Sequence, residues 1–483
     1  MSVIDFCSFR DPSGIVLKYN GRILRLVKIE QEQHLRKMVE IPVIHQLIKS
    51  RSIPATDILP EKEFKRLENE LSSLRHVQFS DFALCLEHEA IPFPSYPYEW
   101  APEMLHCAAE FTLDICLKIL NQNLGLKDAT PYNILFRGTN PVFVDFLSFE
   151  TRDPTDQIWT PYAQFVRTFL LPLLVNQQNK IPLNQIFLNK ADGLEPENVY
   201  QLMSGYKLIK PSVFTLVTLP TLFSRLPQSD QNESMIYQRK KAPSKEMAKF
   251  ILEHILKGLQ KHVRRLMPKQ NKSKWTDYFR KEESYSKDEF KTKEKIVLRL
   301  LQQLKPKKLL DVGCNTGHFS ILAAQNNASV VAIDSDSAVI GTLWREARKS
   351  SLDILPLVVE ICRPSPSIGW DNAEYLSFIK RSKGVFDTVL MLAVIHHMSV
   401  TSRIPFEAIA KKSSELTTRH LIIEFVSPED PMFRKIVRGR DLLYSHLTQD
   451  YFESVWTRYF NLLSREQSGA HRLIYLFEKK DEK

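Results

Sequence analysis

Six cysteines are spread through 483 residues, and no two of them stand in a CxxC pair or any other metal-ligand spacing. That pattern excludes a structural zinc ribbon and a disulfide-stapled scaffold, and it favours a reducing compartment. Long hydrophobic runs are missing as well. No stretch reaches about 18 uninterrupted apolar residues, so no membrane-spanning segment is expected. The segments "FLLPLLV" (169–175) and "VFTLVTLPTLF" (213–223) are short, contain proline, and read as buried. The opening MSVIDFCSFRDPSG lacks the basic and apolar parts of a secretory signal, which makes the cytoplasm the expected location.

What remains is an ordinary globular composition, 43% hydrophobic and 25% charged, long enough for two or three cores. The net charge of +10 is uneven. Between Arg239 and Lys308 there are 22 basic and 8 acidic residues, so this stretch alone exceeds the whole surplus. Peripheral contact with an anionic surface or RNA through 239–308 is one reading. The aromatic interleaving of a base-stacking surface is absent, which favours a solvated helix with its apolar face packed between domains.

Three regions follow: an N-terminal α+β domain over 1–230, a basic linker with an amphipathic helix over 231–290, and an α/β domain over 291–483. In the linker region, Met247, Ile251, Ile255, Leu259, Val263 and Leu266 recur at helical spacing within 246–266. Beyond 294 the pattern predicts strands at "KLLDVG", 329–335, 354–360, 386–395 and 420–426. Helices are predicted at 317–326, 337–350, 371–382 and 402–416, with a closing antiparallel hairpin over 461–480. Strands alternating with helices at this spacing imply a mostly parallel sheet.

The first of these strands runs into "DVGCNTG". A phosphate-binding Walker loop needs Gly-Lys-Ser/Thr, and here His318 and Phe319 follow Gly317. A dinucleotide fingerprint needs glycine where Asn315 and His318 stand. Acid-x-Gly-x-x-x-Gly instead suits S-adenosylmethionine. Asp311 can attract its ammonium, and Gly313 and Gly317 let the backbone of Cys314 and Asn315 come close. Asp334, with Ser335 after it, is placed to receive the ribose hydroxyls. Glu360, at the end of the third strand, could accept from the adenine amino group. His396 and His397, at the end of the fourth, are candidate proton acceptors. Glu424 could line the acceptor pocket, and Tyr285 and Ser286 could belong to a lid. No metal ligands are expected.

"DVGCNTGHFS", "VVAIDSD", "LVVEICRPSP" and "VLMLAVIHHM" resemble the motifs of class I SAM-dependent methyltransferases. The resemblance implies a Rossmann-like seven-stranded sheet, S-adenosyl-L-methionine as cofactor, and a methyl acceptor. Together with "LKDATPYNILF", "PVFVDFLSFE", "PSPSIGW" and "LIIEFV", these segments resemble the NoeA-like nodulation-protein methyltransferase family across nearly the whole chain. The acceptor stays open, with a small molecule or glycan favoured and RNA the alternative.

The first half carries a second pattern. Asp128 and Asn133 are five residues apart, and Asp145 follows twelve later. This spacing resembles the catalytic loop and metal-binding acid of protein and aminoglycoside kinases. No His-Arg-Asp, glycine-rich phosphate loop or Val-Ala-Ile-Lys accompanies it, and Leu147 stands where Asp-Phe-Gly has glycine. A degenerate kinase-like fold that selects the acceptor is the expectation. The alternatives are a nucleotide-binding kinase-like protein with a regulatory SAM-binding domain, and a module that binds SAM without turnover.

Overall fold

A computed structural model of the chain describes residues 4–8, 10–71, 78–225, 241–269 and 287–481. Tyr285 and Ser286 lie outside them.

The N-terminal half opens with a five-stranded antiparallel sheet, β1 (Ile4–Ser8), β2 (Gly14–Tyr19), β3 (Arg22–Lys28), β4 (Thr56–Ile58) and β5 (Phe82–His88), in the order β1-β2-β3-β5-β4. The β2–β3 hairpin turns at Asn20-Gly21, both at positive φ (49° and 80°), as a two-residue Asn-Gly turn requires. A buried helix, Pro102–Leu120, follows. Two small ladders come next, β6 (Leu124–Leu126) with β9 (Phe149–Thr151) and β7 (Ile134–Arg137) with β8 (Asn140–Phe143).

The helix Lys245–Arg265 forms as its period predicts, but on a rotated face. Ala248, Leu252, Leu256, Leu259, Val263 and Leu266 are buried, whereas Met247 is 48% exposed. The run of four-residue steps from Met247 to Val263 drifts round a 3.6-residue helix, while the buried series mixes steps of three and four. This face lies on helix 102–120, where His106 Nε2 meets Val263 O at 3.0 Å.

The C-terminal half is a seven-stranded sheet in the order β12-β11-β10-β13-β14-β16-β15. Its strands are β10 (Lys308–Val312), β11 (Ser329–Asp334), β12 (Ile354–Val358), β13 (Phe386–Met391), β14 (Thr417–Val426), β15 (Phe460–Gly469) and β16 (Arg472–Lys479). β10 to β14 are parallel, and β16 runs antiparallel between β14 and β15. Leu309–Val312 and Val330–Ile333 are buried, as strands covered by helices on both faces must be. Chain order reverses at β10, with β11 on one side and β13 on the other. The crevice at the carboxyl ends of these strands is where such sheets take ligands.

Three expected elements fall four or more residues short of their patterns. The helix expected over 371–382 is only Phe378–Ser382, because Gly369, Asp371 and Asn372 take left-handed φ and the chain folds back through an Ile368–Tyr375 bridge. β13 stops at Met391, not Ile395, and Ala393 sits at φ 53°. The helix expected from 402 begins at Phe406, after Pro405.

One apolar cluster runs through both halves, from Met104 and Phe136 to Phe378 and Tyr475. Polar ties cross the same seam: Glu99 with Arg381, Glu103 with Arg345, and Arg10 with Glu374. The Tyr375 ring lies 5.1 Å from that of Tyr96 and 5.0 Å from that of Tyr132. Among the described residues, no helix is long and apolar enough to cross a membrane, and no group of three or more His, Cys, Asp or Glu could hold a metal ion.

Candidate functional site

At the end of β10 the chain makes a tight turn. The N–H groups of Gly313 and Cys314 both donate to Ile333 O, at 2.9 and 3.0 Å. Gly313 (φ 74°), Asn315 (φ 52°) and Gly317 (φ 83°) occupy left-handed backbone. The two glycines answer different needs. A Cβ on Gly313 would meet Val394 Cγ2 at 3.1 Å, across the mouth of a cavity. A Cβ on Gly317 would strike Leu343 Cδ1 at 2.2 Å, on the helix Ser337–Lys349. The bare Cα at Gly317 therefore lets that helix pack against the turn.

The cavity encloses about 270 Å³ at the carboxyl ends of β10, β11, β12 and β13. Asp311, Gly313, Cys314, Asn315, Asp334, Ser335, Glu360 and His397 line it, so eight of the ten cofactor and proton-acceptor candidates read from the sequence come together there. Gly317 and His396 do not line it.

Asp334 joins the turn to the next strand. Its Oδ2 accepts from Asn315 N at 3.0 Å and its Oδ1 from Asp336 N at 3.0 Å. The backbone of Ser335 also bonds to this carboxylate, and of about four acceptor positions on it these donors leave room for a further one. Asp311 is 2% exposed, and its Oδ2 accepts from Ser320 Oγ at 2.6 Å. Burial pushes the Asp311 carboxyl up to about 6.

The two histidines lie beyond β13 on a helical turn, not on the strand, and they differ in surroundings. His397 faces the cavity, and burial followed by the charge of Arg472 lowers its pKa. It is thereby held neutral near pH 7. His396 is 2% exposed behind it, its ring 4.4 Å from that of His397 and stacked 6.5 Å from Phe433.

Glu424 is fully buried and does not border the cavity; Lys293 does, with its Nζ 2.6 Å from Glu424 Oε2. Lys293 escaped the sequence reading, although a signal existed. It falls on the apolar stripe of helix Lys287–Leu304, three residues after Phe290 and four before Val297. A cation on a core-facing stripe has to be paired. Val359, Ile361, Cys362, Leu392, Val394, Met398 and Thr401 complete much of the wall. Their apolar types looked like ordinary core.

In the N-terminal half, Asn133 Nδ2 lies 3.5 Å from Asp145 Oδ2, and Asp145 Oδ1 is paired with Arg25 Nη1 at 3.0 Å. Asp11 stands 3.7 Å from the same guanidinium nitrogen. Asp128 accepts from Gln164 Nε2 at 3.0 Å.

Residues 285–423 match the family model described as a methyltransferase domain. Over 481 residues the chain is 28% identical to nodulation protein NoeA of Rhizobium meliloti (strain 1021), covering 98% of this chain and 96% of that protein. Among solved structures, the PH0226 protein of Pyrococcus horikoshii OT3 aligns with 42% of this chain and 99% of its own, at 16% identity and a TM-score of 0.30. The N-methyltransferase NodS of Bradyrhizobium japonicum WM9 aligns with 40% of this chain and 99% of its own, at 14% identity and a TM-score of 0.30. The family-model and NoeA matches agree with both resemblances read from the sequence motifs.

Proposed function

We propose that the chain is a methyltransferase that binds S-adenosyl-L-methionine in the cavity at the ends of β10 to β13 and passes the methyl to an acceptor entering beside His397. The observation that carries this reading is the hydrogen bond from Asn315 N to Asp334, which joins a strand-end acid to the glycine turn within one cavity.

In this reading Asp334 accepts from the ribose with its remaining acceptor capacity. Ser335 and Glu360 border the adenosine end, and Asp311 receives the ammonium of the amino-acid end. When bound, S-adenosylmethionine supplies an activated methyl on a sulfonium that leaves as a neutral thioether. What the protein must then add is alignment and a proton acceptor. His397 is the candidate: it faces the cavity, and its lowered pKa keeps the imidazole free to take a proton from an acceptor O–H or N–H.

The N-terminal half is assigned a degenerate kinase-like fold that selects the acceptor. The sheet order β1-β2-β3-β5-β4, the long helix after it and the two small ladders support this, with Asp128, Asn133 and Asp145 on the loops between ladder strands. No comparable observation favours phosphotransfer, since Asp145 is already paired with Arg25.

Calorimetric titration of S-adenosylhomocysteine into the full chain tests the cofactor. Saturable binding supports the reading, and absence of binding to folded protein refutes it.

A further inference from the structure

The segment after β12 belongs to two places at once. Its first residues, Val359 to Cys362, form a wall of the cavity. Three residues past Cys362, the hydroxyl of Ser365 donates to Glu99 of the N-terminal half. Arg363 and Pro364 alone separate them, and a proline fixes its own φ, so the tether has little slack.

Glu99 is fully buried on the turn Pro97–Glu99 and grips the segment at both ends. Its Oε1 takes the Ser365 hydroxyl and also Arg381 Nη2, sixteen residues further on. Its Oε2 accepts from Tyr96 N at 3.2 Å, which fixes the carboxylate to its own turn. Arg381 is held in turn by Pro94 O and by Leu376 O, and its guanidinium lies 4.7 Å from the Tyr96 ring centroid. The loop is closed at its base by Phe378 N donating to Ser365 O at 3.1 Å.

We propose that Glu99 is a positioning residue for the cofactor site, acting through Ser365 to hold the Val359–Cys362 wall in its binding geometry. The inference rests on the reading of that cavity as the S-adenosylmethionine site. It makes the N-terminal half a structural part of a pocket whose lining is entirely C-terminal.

Replacing Glu99 would strand the buried Arg381, so the decisive variant is Ser365→Ala, which leaves that ion pair intact. Ser365→Thr restores the hydroxyl, and Glu103→Gln loosens the same seam at a site away from the segment. S-adenosylhomocysteine affinity is measured by calorimetry on the full chain, with thermal midpoints on the same samples. Ser365→Ala should weaken binding roughly three- to tenfold, what one hydrogen bond to a charged group is worth when under half of it is transmitted. Its midpoint should stay close to wild type, Ser365→Thr should recover the affinity, and Glu103→Gln should lower the midpoint while leaving affinity alone. Wild-type affinity in Ser365→Ala would overturn the proposal, as would an equal loss in Glu103→Gln. No binding by folded wild type would instead remove the cofactor reading, and this inference with it.

Discussion

Asn315 donates its backbone N–H to Asp334 across 3.0 Å, so the glycine turn and the acid proposed to receive the ribose hold each other in place. Asp334→Asn keeps the volume but gives up the charge and half the acceptor capacity. Affinity for S-adenosylhomocysteine should fall by at least about 2 kcal/mol, roughly thirtyfold, as for lost charge-assisted hydrogen bonds. Calorimetry on the two proteins decides it, and equal affinities would mean the ribose sits elsewhere.

Asp311 gives the site a pH dependence. Its folded pKa of about 6 lies above the ordinary carboxyl value, because burial penalises the charge. Without a ligand, ionising Asp311 costs the fold, so its contribution favours the folded state at low pH and is lost as pH rises toward and through 6. An incoming ammonium needs the ionised form, so cofactor affinity moves the other way. Between pH 8 and 6 it should be flat, and below 6 it should fall by about tenfold per unit. Asp311→Asn should abolish that slope. Titrations from pH 5 to 8 would show it.

The adjacent histidines should part company. His397→Gln should reduce methyl transfer from S-adenosylmethionine to acceptor in cell extract by about a hundredfold, the usual share of a general base. Its affinity for S-adenosylhomocysteine should hardly change. His396→Gln places an amide where a buried ring stacks on Phe433, and its main effect should be on the thermal midpoint. Undiminished turnover in His397→Gln would remove the base from the mechanism.

Lys293 and Glu424 form an ion pair at 2% and 0% side-chain exposure. Lys293→Met alone leaves a carboxylate buried without its lysine and should cost about 3–5 kcal/mol in urea denaturation. Lys293→Met with Glu424→Leu should regain most of that loss, since a packed apolar pair replaces both charges.

With Arg25 held on Asp145, Mg-ATP titrated into the full chain should give no saturable heat. Saturable binding abolished by Asp145→Ala would revive the nucleotide-dependent reading.

The sheet was legible because a buried parallel strand writes itself as an unbroken apolar run, and each run here is followed by a helical period. Val330–Ile333 is such a run, and Leu309–Val312 is one interrupted only by Asp311, the residue that turns toward the cavity. The turn was legible because left-handed backbone and an acid at a strand end constrain residue type. The fates of Gly317 and His396 were hidden for a physical reason. What a Cβ would strike, or which face of a turn a ring takes, depends on Leu343 and Phe433, residues distant in sequence. Local pattern also could not foresee that 371–377 would fold back as a loop, since its hold on the N-terminal half comes from Arg10, Tyr96 and Tyr132.

The apolar cluster that crosses between the halves has a bearing on heredity as well as on form. Two halves that share one core are expected to melt as one cooperative body, so damage to either is felt as loss of the whole. A weakening change in the antiparallel sheet near the start of the chain then lowers the amount of folded protein without touching its pocket. Selection on the chemistry of one half would thus also preserve the other half's packing.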